Sequence, residues 1–163
     1  MSNSRLQSVI DLLLLEAELV DKKKWEQWLL LFAENVEYWV PAWESDSDYT
    51  RDPDSELSLI YYSSRSGLED RVFRIRSGLS HVSSPLPRTC HMVTNIRAQF
   101  RENGRSDVDA NWQVLSHKDG KTSTFFGFYE YLLEPEAPGW KILKKKIVVL
   151  NDLIPTVLDV YSI

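Results

Sequence analysis

The stretch TCHMVTNIRAQFRENGRSDVDANWQVLSHKDGKTSTFFGFYEYLL, Thr89 to Leu133, decides the fold. Two dipeptides punctuate it, Asn103-Gly104 and Asp119-Gly120. Asn, Asp and Gly tolerate the positive φ of tight hairpin turns, so each pair marks a reversal between strands. The runs they separate are TCHMVTNIRAQFR, DVDANWQVLSH and KTSTFFGFYEYLL. EPEAPG makes the next connection, to WKILKKKIVVL. Four successive antiparallel strands are expected.

Upstream the period changes. Leu6, Val9, Ile10, Leu13, Ala17 and Val20 recur at helical spacing, and Leu12, Leu15 and Leu19 widen the stripe, so helix one should be buried over much of its girth. Asp21 is placed to cap a second helix, in which Trp25, Trp28, Leu29 and Phe32 share a face. VEYWVP, Val36 to Pro41, reads as a short strand stopped by its proline. In SGLEDRVFRIRSG, Ser66 and Glu69 fit a capping box and Gly78 suits a helix end. Leu68, Val72 and Ile75 form its apolar seam. The order is two helices, a strand, a loop, a helix and four strands. Residues 1–163 should therefore form one α+β domain, its helices on one face of a strongly curved, mainly antiparallel sheet. This is the layout of the nuclear-transport-factor-2-like (cystatin-like) cone.

Composition narrows the function. The chain has 163 residues, 43% apolar and 26% charged, with a net charge of −5, so nothing draws it to a nucleic-acid backbone. Asp11, Glu16 and Glu18 interrupt the N-terminal apolar run, and no segment offers the roughly 20 apolar residues of a membrane span, which gives a cytoplasmic reading. One cysteine excludes an internal disulfide framework and a Cys-rich iron–sulfur or zinc site built by this chain alone. The acidic stretch AWESDSDYTRDPDSE lacks EF-hand spacing and its turn glycine; it reads as a solvated loop, with a cation site as the alternative.

Cys90 and His91 are adjacent on an extended strand, so their side chains point to opposite faces and cannot form a thiolate–imidazole pair. Strict alternation groups Cys90 with Met92, Ile96, Ala98 and Phe100, as a core cysteine. It sends His91 to a polar or interface-facing side. His81, His91 and His117 lack the short spacings that preset a metal site on one element. A cone of this layout can host acid–base chemistry, and its candidate groups here are Asp21, Tyr38, His91 and Tyr129. That leaves a stand-alone dehydratase or isomerase, or a small-molecule binder, as the alternative to a purely structural role.

The late strands look apolar on both faces. Phe126, Phe128 and Leu132 oppose Phe125, Tyr129, Tyr131 and Leu133; Trp140, Ile142, Val148 and Leu150 oppose Leu143, Ile147 and Val149. Three helices cover one face, so the other is expected to be covered by another chain. The tail NDLIPTVLDVYSI should pack either over its own domain or across an interface.

LSLIYYSSRSGLEDRVFRIRSG, followed by PLPRTCHMVTNIR, carries a resemblance. Here the sequence resembles the small (β) subunit of bacterial aromatic-ring-hydroxylating dioxygenases, in the benzoate, toluate and anthranilate group. The likeness spans essentially the whole chain, YWVPAWESDSDYT included. It implies a non-catalytic subunit that organises large (α) subunits in a three-plus-three hexamer, touching both them and other copies of itself. It also implies that the large subunit carries a Rieske 2Fe–2S cluster and a mononuclear Fe(II), while this chain binds no cofactor. The whole would use dioxygen and electrons from NADH to make a cis-dihydrodiol from an aromatic acid. Arg65, Asp70, Arg71, Arg74, Arg88 and His91 are the expected subunit-interface residues, since arginines beside rigid turns suit paired recognition of carboxylates. A row of arginines on a solvated helix face is the alternative.

Overall fold

The computed structural model describes residues 2–78, 84–154 and 157–163. In chain order it contains α1 (Ser2–Asp21), α2 (Trp25–Leu29), β1 (Phe32–Pro41), β2 (Ser58–Tyr62), α3 (Arg65–Arg76), β3 (Arg88–Phe100), β4 (Ser106–Lys118), β5 (Lys121–Glu136), β6 (Gly139–Val149) and a 3-10 turn at Val160–Ser162. The strands form one sheet in the order β2-β1-β6-β5-β4-β3. All neighbours are antiparallel except β1 and β6. The expected α+β class and the four-strand meander are both present. The Asp119-Gly120 turn has positive φ at both residues, 51° and 74°, as a two-residue hairpin of this hand requires.

Three local expectations need correction. SLIYY forms β2, a strand absent from the expected order, and it pairs with β1 through Trp39↔Tyr61 and Val40↔Ile60. The second helix stops at Leu29, and Phe32 opens β1 instead of sharing a helical face. Ser66 does not cap α3. The N-cap position is Ser64, whose hydroxyl lies 2.6 Å from that of Ser66, and Glu69 pairs with Arg65. Gly67 has a packing role: a Cβ there would come within 2.5 Å of the Tyr62 ring, so its absence lets β2 and α3 meet. Gly78 does end the helix, at φ 68°.

The sheet is not regularly alternating. Between Thr94 and Arg97 the β3–β4 register shifts, with Asn95 at φ 54°. A bulge adds one residue to one strand and so exchanges its two faces. Before it, His91 and Val93 point inward; after it, Ile96, Ala98 and Phe100 do. Cys90 is therefore exposed, contrary to the expected core position, and His91 is inside. A second shift, at Leu132/Leu133, brings Ile142 inward with Ile147 and Val149 and leaves Val148 on the outer face. Gly127 sits where strand backbone passes closest, since a Cβ there would collide with the Val148 carbonyl oxygen.

The core fills the space between the inner face and the helices. Val9, Leu12, Leu13 and Leu19 of α1, Trp25 and Trp28 of α2, and Leu68, Val72 and Ile75 of α3 pack on Phe32, Tyr38, Val108, Val114, Phe125, Leu133 and Ile147. Trp28 meets Phe32 edge-on with ring centroids 4.9 Å apart, a geometry that aromatic quadrupoles favour.

Candidate functional site: a filled cone and an open outer face

The cone interior holds two charged groupings. Glu16 projects from the buried side of α1 and accepts hydrogen bonds from Lys145 Nζ at 2.5 Å and from the Tyr131 hydroxyl at 2.7 Å. The Lys145 ammonium also lies 4.3 Å from the centre of the Tyr129 ring. A buried charge is tolerable only when paired and surrounded by such donors or π faces. Burial pulls the Lys145 ammonium below its ordinary pKa, opposed by Glu16. Burial likewise pushes the hydroxyls of Tyr38, Tyr129 and Tyr131 well above theirs, with the Glu16 charge adding to it.

The second grouping joins helix to strand. Asp21, the last residue of α1, does not cap α2; it faces β3. Its Oδ1 accepts from Thr89 Oγ1 at 2.8 Å and lies 2.5 Å from His91 Nδ1, and its Oδ2 accepts from the His91 backbone N–H at 2.9 Å. Partial burial pushes this carboxyl up, but the hydrogen bonds and charge of His91, with Thr89, outweigh it and hold the pKa below the usual range. The His91 side chain is only 3% exposed.

Three of the four acid–base candidates thus converge: Asp21 holds His91, and His91 and Tyr129 border one cavity with Glu16 and Lys145. Tyr38 is wholly buried, and its hydroxyl has no partner among the described residues. That cavity measures about 10 Å³, room for roughly one water. Ligand pockets run to roughly 300–1,000 Å³. Val160 and Ile163 take the remaining space. The tail question is thereby answered in part: Val160 to Ile163 are buried against their own chain, at the mouth of the cone and not on the outer face, while Leu153 is 84% exposed.

The outer face divides in three. At the end nearest Asn103-Gly104 it is a ladder of charges, with Lys146–Glu130 at 2.9 Å, Arg101–Asp107 at 2.6 Å and Lys144–Glu37 at 3.8 Å. These groups line an open concavity of about 460 Å³. The centre is covered by the chain itself: Trp43 Nε1 donates to the Val149 carbonyl at 2.6 Å, and Tyr49 packs edge-on against Phe128. The far end stays apolar and open, with Phe126 43% exposed and Met92, Leu115 and Leu150 each 38%. The expected greasy outer side is confined to this end: the shift in β6 turns Ile142 inward, Trp43 and Tyr49 cover the centre, and the β3 bulge adds Met92 to the open patch.

The expected interface residues are scattered. Arg65 is tied to Glu69 at 3.0 Å and to the Phe32 carbonyl at 3.2 Å. Arg71 forms a bidentate pair with Asp159, with Nε donating at 2.8 Å and Nη2 to the second oxygen. His91 is buried. Asp70, Arg74 and Arg88 are exposed, and their side chains have no polar partner among the described residues. Arg88 borders a concavity of about 310 Å³ with Pro85, Leu86 and His117. His81 lies outside the described residues. The acidic loop is organised by its own backbone: Glu56 accepts from the Arg51 and Asp52 N–H groups, and Asp52 from Ser55 and the Asp54 N–H.

The chain is a helix-capped, six-stranded cone filled by its own side chains, with an open apolar patch at one end of its outer face. The sequence profile of the ring hydroxylating beta subunit family matches residues 15–156, and the chain belongs to that family. It is 40% identical over 148 residues to the anthranilate 1,2-dioxygenase small subunit of Acinetobacter baylyi, covering 91% of each chain. The crystal structure of the benzoate 1,2-dioxygenase beta subunit of Burkholderia mallei matches with TM-score 0.79 and 32% identity over 95% of each chain. A candidate scytalone dehydratase of Novosphingobium aromaticivorans shares the fold alone, at TM-score 0.69 and 15% identity, over 91% of this chain and 88% of that one. The cone expected from the sequence is the fold observed.

Proposed function

We propose that residues 1–163 form one domain whose work is to organise the large subunits of a multicomponent, cytoplasmic dioxygenase acting on an aromatic acid of the benzoate or anthranilate type. Three copies join three large subunits. The large subunit supplies the Rieske 2Fe–2S cluster and the mononuclear Fe(II), and NADH supplies the electrons. One observation carries the division of labour. The cone pocket bordered by Glu16, His91, Tyr129 and Lys145 has space for about one water, far short of an aromatic ring. This supports assigning the chemistry to a partner.

Within the assembly, Asp70, Arg74 and Arg88 make the charged contacts, because their charges are unspent. Arg65, Arg71 and His91 act indirectly, by holding α3 and β3 in place. Co-expression with the matching large subunit, followed by mass and metal analysis, tests this. Iron and oxygen uptake with aromatic acids should require the large subunit, and the small chain purified alone should show neither. A small chain that turns over an aromatic acid by itself would overturn the reading.

A further inference from the structure

Among the described residues, three buried side-chain donors have no hydrogen-bond partner: the Tyr38 hydroxyl and the indole N–H groups of Trp28 and Trp112. Of the three, only Trp28 borders the small cavity inside the cone. Trp28 is 1% exposed. An indole N–H can only donate, and a buried donor left unused is costly. The same cavity is bordered by Glu16 of α1 and Lys145 of β6, both buried. Their mutual hydrogen bond does not exhaust them. The Lys145 ammonium has three N–H groups, of which one goes to Glu16 Oε1. The Glu16 carboxylate has about four acceptor sites; one oxygen accepts from Lys145 and the other from the Tyr131 hydroxyl.

We infer that the cone binds one structural water, which accepts from Trp28 Nε1 and Lys145 Nζ and donates to the Glu16 carboxylate. Size and chemistry agree on this ligand. A bound water needs about 10–15 Å³ of space and two to four polar partners. The cavity measures about 10 Å³ and offers three. An ion of either sign would meet a like charge, a cation at Lys145 and an anion at Glu16. A neutral molecule that both accepts and donates suits all three groups. His91 also borders the cavity, but its ring is engaged by Asp21, and the inference asks nothing of its charge. The water would join α1, α2 and β6. The second of these gains most, since α2 has five residues and no side-chain cap at its start. A helix that short is not stable by itself and depends on what it packs against. Trp28 already meets Phe32 and Tyr38 edge-on, and the water adds a polar tie to those apolar ones. The inference does not depend on the assembly proposed above.

Crystallography and NMR of the full chain test it together. A crystal structure that shows ordered water should have one peak of density within hydrogen-bond distance of Trp28 Nε1, Lys145 Nζ and the Glu16 carboxylate. In solution, the Trp28 indole proton should give a direct cross-relaxation peak with water, of the sign that marks a held water and not a passing one. Combining Glu16→Leu with Lys145→Met should abolish both signals, because an apolar cavity stays dry. Should that variant not fold, the wild-type chain decides alone: density and cross-peak together support the site. A cavity without density, an indole proton without contact to water, or signals that survive in the double variant would overturn it.

Discussion

The two faces of the sheet solve the same problem differently. On the inner face, Lys145 is covered by Glu16 and three tyrosine rings, and His91 by Asp21, so each charge has a partner within this chain. On the outer face, the charged end pairs its groups in water, the centre borrows Trp43 and Tyr49, and the far end leaves Phe126, Met92 and Leu115 half open. Among the described residues the inner charges are all paired within the chain, while the buried Tyr38 hydroxyl and the Trp28 and Trp112 indole N–H groups are left without a partner. The outside stops being complete at one end of the strands.

That contrast predicts a ranking of effects. The largest belongs to the interior. Glu16→Ala leaves the Lys145 ammonium buried without its partner and should cost about 3–5 kcal/mol in denaturant melts of the isolated chain. Combining Glu16→Leu with Lys145→Met should recover much of that, since removing both charges is far milder than removing one. If the double variant is as damaged as the single, the pair is not what the interior depends on.

Gly127→Ala comes next, at about 3 kcal/mol, because the added methyl meets the Val148 carbonyl of a neighbouring strand and not a side chain that can swing away. Retained stability in this variant would mean that β5 and β6 separate more readily than their register implies.

Asp21 gives a smaller, pH-dependent effect. Its carboxyl titrates lower in the folded chain than its ordinary 3.8. The stability it contributes is present above about pH 4 and is lost as pH falls through the folded value. The melting temperatures of wild type and Asp21→Asn should therefore differ at pH 6 and converge in acid. A gap that does not narrow as pH falls would contradict the ionised pairing.

The smallest effect on folding should come from outside. Phe126→Ser and Leu115→Ser should change the stability of the isolated chain by about 1 kcal/mol or less, yet reduce recovery of the complex with a large subunit. Arg74→Ala and Arg88→Ala should leave melting unchanged and weaken assembly, with the iron content of the assembled fraction unaltered. Unchanged complex mass in both arginine variants would remove them from the interface.

How much of this was legible in the chain follows from the physics of each signal. The β3–β6 meander announced itself through local turn chemistry at Asn103-Gly104 and Asp119-Gly120, and α3 through its Leu68, Val72 and Ile75 spacing. The facing of β3 did not follow, because alternation carries no warning of an inserted residue. Asn95, a residue type that tolerates left-handed backbone, in the middle of a strand was the available clue. SLIYY was readable as a strand by its β-branched and aromatic run, and lay hidden between an acidic loop and a helix signature. The Asp21–His91 pair is separated by 70 residues, and only chain closure brings it together. The sequence supplied both members as candidates without their partnership.

The central claim is that this chain is finished inside and completed outside by a different, catalytic chain. The most direct test is the light-scattering mass of the purified small chain before and after addition of its matching large subunit. A rise to a particle holding equal numbers of the two chains is predicted. A mass that stays that of the small chain alone, with both proteins folded, would contradict the account.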